Sequence, residues 1–164
     1  MQKELPVRKK LRLQGYDYSN AGYYFITICI EDEHEILGLV GDAHPGVPCI
    51  ELTETGKIVT QYIKNIPNHY DNIKIDKYVV MPNHIHMIIV ITDGTPGCAS
   101  PTKSMLAKIT NAFKSLTTRK FGKSIWQRGY HDHIIRSENE YLRIWQYIDE
   151  NPAKWAEDKY YTKK

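Results

Sequence analysis

Four of the seven histidines stand in two His-x-His pairs, His84 with His86 and His131 with His133. The first pair interrupts an apolar run, "KYVVMPNHIHMIIVI", where a buried strand needs only Val and Ile. Side chains alternate along a strand, so His84, His86 and Ile88 share one face while Ile85, Met87 and Ile89 take the other. Two imidazoles one pleat apart can chelate a single metal ion. The chain has no Cys-x-x-Cys, which argues against a closed structural zinc site. Two neutral histidines with one oxygen ligand leave positions open for water and substrate, a geometry suited to Mg2+ or Mn2+ bound together with a phosphate. A histidine-triad hydrolase needs a third histidine at 88, where the chain has Ile88. In the second pair Asp132 is placed to orient one ring, but "GYHDHIIR" reads better as a DNA-contacting edge than as a metal site.

A further constellation lies in "SENEYLRIWQYIDENP", which reads as a helix. Arg143, Tyr147 and Asn151 recur every four residues, so they lie on one helix face at steps of about 6 Å. A phenol can act as a nucleophile and an amide carbonyl is a hard oxygen ligand. The chain has 12 tyrosines, however, so most serve packing or the surface, and Asn151 also suits a helix cap. Tyr141, Trp145 and Ile148 form the stripe expected to face the core.

The elements that must position these residues follow from periodicity and turn chemistry. "GYYFITICI" (22–30) reads as a strand, rich in aromatic and β-branched residues. The stretch 41–50, with two prolines and two glycines, reads as a loop. Residues 53–66 have helical spacing, and Pro67 limits the helix. Ile73 to Val80 and His84 to Ile91 read as two strands joined by Pro82–Asn83. Residues 103–119 form an amphipathic helix with a stripe of Met105, Leu106, Ile109, Ala112, Phe113 and Leu116. A short strand is expected within 124–135. Ser137 opens the last long helix, with Glu140 completing a capping box. Pro152 disfavours helical geometry at Asn151, and a second short helix is expected with Asn151 as its N-cap. The order gives an α+β, ferredoxin-like (split βαβ, RRM-like) antiparallel sheet with helices on one face and a C-terminal helix carrying Tyr147.

The 164 residues, 41% hydrophobic and 25% charged, suit one globular domain over 1–164, with a basic N-terminal arm (1–15) and a flexible loop (92–102). No run approaches the roughly 18–20 apolar residues of a membrane span, so no membrane partner is expected. Three scattered cysteines suit a reduced, cytoplasmic compartment better than a disulfide framework. The net charge of +3 hides a segregation: residues 31–54 carry seven acids and no Lys or Arg, while residues 101–136 carry eight bases against Asp132 alone. Such separation points to a polyanionic partner, with Lys108, Lys114, Arg119, Lys120, Arg128, His133 and Arg136 as candidate DNA contacts. Tyr16, Tyr18, Trp126 and Tyr130 are candidates for stacking unpaired bases.

Taken together, "GYDYSNAGYYFITICI", "YVVMPNHIHMIIVI", "WQRGYHDHIIR" and "YIDENPAKW" resemble the HUH single-tyrosine transposases of small insertion sequences, most of all the branch called REP-associated tyrosine transposases. The resemblance covers residues 11–155. It implies a ferredoxin-like palm in which His84 and His86 hold a divalent metal, Mg2+ or Mn2+. It further implies that Tyr147 attacks a DNA phosphate to give a covalent 5′-phosphotyrosine, with Asn151 as the third metal ligand. Insertion-sequence members carry Gln at that place, one methylene longer. The implied partner is single-stranded or hairpin DNA, handled by a monomer or a homodimer, in transposition or in the processing of REP hairpins. Two other readings fit the residues: a non-catalytic single-stranded nucleic-acid-binding module on the same fold, and a metal-dependent phosphoesterase that uses water in place of tyrosine.

Overall fold

The computed structural model describes residues 13, 15–44, 47–93 and 104–161, with the backbone alone for 42–44 and 47. Most of the basic arm expected over 1–15, and the 94–102 part of the expected loop, lie outside the described residues. Nine elements define the fold: β1 (Gly22–Cys29), β2 (Gly38–His44), β3 (Val47–Leu52), α1 (Glu54–Asn65), β4 (Ile73–Val80), β5 (His84–Ile91), α2 (Met105–Phe121), β6 (His131–Ile135) and α3 (Glu138–Glu150). Four strands form one antiparallel sheet in the order β4-β5-β1-β6. With α1 leading from the β1 side to β4 and α2 from β5 to β6, this is the expected split βαβ arrangement.

The sheet has two different faces. Tyr24, Ile26 and Ile28 of β1 and Ile85, Met87 and Ile89 of β5 join Val59 and Ile63 of α1 and Leu106, Ile109 and Phe113 of α2 in the main core. The opposite face carries Ile88 and Val90, covered by Ile148 of α3. Capping explains where the helices begin. The hydroxyls of Thr53, Ser104 and Ser137 each accept a first-turn N–H, from Gly56, Ala107 and Glu140 respectively. Gly56 is a close approach as well: a Cβ there would lie 1.9 Å from the Leu37 carbonyl oxygen, so only glycine lets α1 seat on that backbone. Gly122, at φ +70°, ends α2 in the left-handed conformation that glycine adopts without penalty.

Several expectations are corrected. The 41–50 stretch is not a loop but most of the hairpin β2–β3, with Pro48 paired opposite Asp42. A two-stranded ribbon has an outward edge on each strand, so a proline costs it no interior ladder bond. In α2 the buried face includes Ala107, Thr110 and Thr117, while Leu116 is 36% exposed. The two threonines are accommodated because their hydroxyls donate to the Leu106 and Phe113 carbonyls, and Trp126 Nε1 donates to Thr117 Oγ1 at 2.8 Å. In α3 only Ile148 is fully buried, and Trp145 lies outside the core, under the Lys77 ammonium at 3.7 Å. No N-cap forms at Asn151. It is the C-cap of α3 in right-handed helical geometry, followed by a turn and a single 3-10 turn at Trp155–Glu157. Tyr18, Trp126 and Tyr130 are buried in the core, so these three are not stacking platforms, while Tyr16 is half-buried against it. Among the described residues no helix is long and apolar enough to cross a membrane.

Candidate functional site

The pleat of β5 brings His84 and His86 to the α3 face, opposite Cys29 and Thr27 of β1. Both are fully buried, and their Nε2 atoms lie 3.0 Å apart. Each Nδ1 is held from behind. Asn83 commits its amide nitrogen to the Tyr160 carbonyl (2.8 Å) and the Glu33 carbonyl (3.3 Å), so its Oδ1 can only accept from His84 Nδ1–H, at 2.8 Å. This leaves His84 Nε2 with its lone pair. His86 Nδ1 is 2.8 Å from the Thr27 hydroxyl. Burial pushes the His84 pKa down to about 4, against the pull of the Asp158 carboxylate. Burial, and then the neighbouring His84, push His86 well below its ordinary value. Both rings are therefore neutral near pH 7, as ligands must be.

α3 is docked over this pair by contacts along β4. A bulge between Ile75 and Lys77 lets successive residues meet the helix. Tyr141 O–H donates to Asp76 Oδ2 at 2.7 Å, and Lys77 both lies over the Trp145 ring and pairs with Asp149. Six residues along the helix from Tyr141, the Tyr147 hydroxyl lies 3.2 Å from His86 Nε2 and donates to Asp158 Oδ2 at 3.0 Å. Its ring packs against His86 and edge-on to Phe25, yet the residue remains 39% exposed. Burial of the hydroxyl, then the Asp158 carboxylate, hold its pKa well above the ordinary phenol value. Asn151 is buried and donates from Nδ2 to the same Asp158 Oδ2 at 2.8 Å, while its Oδ1 is buried without a hydrogen-bond partner.

Asp158 was not legible as a site residue. It follows the 3-10 turn, and its Oδ1 accepts from Tyr160 N–H at 2.8 Å. Ligand atoms of His84, His86 and Asp158 all lie within 4.8 Å of one another, and among the described residues this is the one such group that could hold a metal ion. Two neutral imidazole nitrogens, a carboxylate and an orphaned amide oxygen fit a divalent cation. Tyr160 lies over the pair, its ring 4.6 Å from that of His84.

The other candidate residues are dispersed. His131 and His133 lie exposed on the edge strand β6, and His133 Nε2 is 2.7 Å from Glu140 Oε1, so the second pair does not gather a metal group. Lys108, Arg119, Lys120, Arg128 and Arg136 are exposed. Lys114 is different: its ammonium donates to the Gln127 and Gly129 carbonyls at 2.6 and 2.9 Å, and burial lowers its pKa. It braces the 127–129 segment.

Residues 50–151 match the family model described as "Transposase IS200 like", and the chain belongs to that family. Its similarities run to the REP-associated tyrosine branch. A REP-associated tyrosine transposase of Escherichia coli is 30% identical over 81 residues, 49% of this chain and 45% of that protein. A Haemophilus influenzae protein described only as uncharacterized is 34% identical over 173 residues, covering 94% of this chain and 93% of its own. A solved REP-associated tyrosine transposase bound to a REP hairpin shares the fold with a TM-score of 0.66 at 21% identity, over 93% of this chain and 77% of that one.

Proposed function

We propose that this chain is a single-stranded DNA endonuclease and strand transferase that cuts through a covalent 5′-phosphotyrosine on Tyr147. The observation that carries the reading is the convergence of an accessible phenol on a buried histidine pair, with Tyr147 Oη 3.2 Å from His86 Nε2. The Tyr147 oxygen forms the new bond to phosphorus, the 3′-oxygen leaves, and the phosphodiester energy is kept for rejoining. His84 and His86, with the orphaned Asn151 Oδ1, would hold a divalent cation, Mg2+ or Mn2+, whose chemistry there would be Lewis-acid polarisation of the scissile phosphate. The phenolic proton has an acceptor in place, since Tyr147 already donates to Asp158. Asn83 and Thr27 keep the imidazoles oriented. Hairpin or single-stranded DNA is the substrate, as the family and the hairpin-bound neighbour support. Lys108, Arg119, Lys120, Arg128, His133 and Arg136 are the proposed phosphate contacts, and the exposed rings of Tyr23 and Trp145 replace the buried aromatics as stacking surfaces.

The test is a denaturing gel of labelled hairpin-bearing single-stranded DNA incubated with the protein and Mn2+. A protein–DNA adduct is the expected outcome. Free cut DNA would mean that water is the nucleophile, and intact DNA would mean a binding module.

A further inference from the structure

We infer that Asp158 is an anionic ligand of the cation held by His84 and His86, supplied by a segment beyond the residue at which the family match ends. This rests on the metal reading above and adds a residue to it. The family match stops at Asn151, and Asp158 lies seven positions on, after the turn at 151–154 and the 3-10 turn at Trp155–Glu157. That excursion returns the chain to the histidines: Tyr160 packs on His84, and the Tyr160 carbonyl accepts from Asn83, the residue that orients His84. The carboxylate is held from both sides. Oδ1 accepts from Tyr160 N–H, and Oδ2 accepts from Tyr147 O–H and Asn151 N–H. Two carboxylate oxygens offer about four lone-pair sites, so these three bonds leave capacity for a cation.

Charge favours the assignment. His84 and His86 are neutral and Asn151 contributes an amide, so without Asp158 nothing in the immediate set offsets a divalent charge. Placing a carboxylate there also ties the nucleophile to the ion, because the group that ligates the cation is the group that accepts the Tyr147 hydroxyl. Asn151 then has a positioning use, its N–H holding Asp158, while its buried Oδ1 is left without a hydrogen-bond partner.

The experiment is Mn2+ titration by calorimetry, with the visible spectrum of the Co2+-loaded protein as a readout of the ligand set. Asp158→Asn, nearly isosteric, should weaken Mn2+ binding at least about tenfold and change the Co2+ bands. Tyr141→Phe, on the same helix but bonded to Asp76, should stay within about threefold of wild type. Asp158→Glu should recover part of the loss. A crystal structure of the wild-type protein with Mn2+ gives an answer that needs no variant to fold: the anomalous peak should lie within about 2.5 Å of an Asp158 carboxylate oxygen. Wild-type affinity and an unchanged Co2+ spectrum in Asp158→Asn would overturn the inference while leaving the histidine site standing. Mn2+ binding that survives His84→Ala/His86→Ala would overturn the metal reading itself, and this inference with it.

Discussion

The two faces of the sheet meet in β5, whose residues alternate between them. Toward α1 and α2 the strand presents Ile85, Met87 and Ile89, sealed into a core that takes in most of the buried apolar side chains among the described residues. Toward α3 it presents His84, His86, Ile88 and Val90, and only Ile148 of α3 is fully buried there. The second face has a smaller apolar cluster, Ile88, Val90 and Ile148 with Phe25, Val79, Ile135, Tyr141 and Ile144 against it, and adds discrete contacts along β4: Tyr141 with Asp76, and Lys77 with Trp145 and Asp149. A covered apolar face can carry stability alone, which frees the other to bury two imidazoles and leave a phenol accessible. Burial penalises the charged imidazolium, and both rings avoid that cost by staying neutral near pH 7.

Four measurements break or sharpen this contrast. The largest effect is on chemistry. Tyr147→Phe should abolish the DNA adduct, a loss of at least about a thousandfold, whereas Tyr141→Phe, on the same helix but bonded to Asp76, should keep it. Mass spectrometry of the trapped adduct identifies the tyrosine, and an adduct on Tyr141 would dissolve the distinction. Next is packing. Both Ile89 and Ile88 are fully buried, but Ile89→Ala should cost about 4 kcal/mol and Ile88→Ala about 2 kcal/mol, because the α3 side can relax around the cavity. Equal losses in urea denaturation would mean that the α3 face is as rigidly packed as the core.

Acid stability comes third. A histidine whose folded pKa is depressed stabilises the fold above its unfolded pKa, near 6.5, and that contribution is lost as pH falls toward its folded pKa of about 4. In chelator-treated protein the pair His84 and His86 should together lose stability across this window, and His84→Leu should lessen the decline. A pH-independent melting curve between 6.5 and 4 would refute the buried-neutral assignment. The smallest effects separate two lysines of α2. Lys114→Met should cost about 1 kcal/mol of stability, through its two carbonyl partners, and leave the salt dependence of DNA binding unchanged. Lys108→Met should do the reverse, shifting stability by less than about 0.5 kcal/mol and the log–log salt slope by about 0.7. Fluorescence anisotropy across a salt series distinguishes the two.

What the sequence determined on its own is what short-range periodicity can carry. The two-residue repeat of a strand put His84 and His86 on one face and Ile85, Met87 and Ile89 on the other, and the structure has them so. The four-residue step of a helix put Tyr147 and Asn151 together, and both meet Asp158. The strands at 73–80 and 84–91 and the cap Ser137 were equally local and equally legible. Tertiary structure decided what depends on partners far along the chain. Lys114 and Thr117 look solvent-facing by residue type, and only the Gln127 and Gly129 carbonyls brought against the first and the Trp126 indole against the second explain their burial. Trp145 looks like core, and only Lys77, far away in the chain, gives it a partner outside the core. Pro48 looks like a loop residue until its strand is seen as one edge of a ribbon. Asp158 carries no spacing signal, because its place beside His84, 74 positions earlier, is set by a turn, a 3-10 turn and the packing of Tyr160. Hydrogen bonding and burial between distant segments are cooperative properties of the folded chain, and no local pattern encodes them.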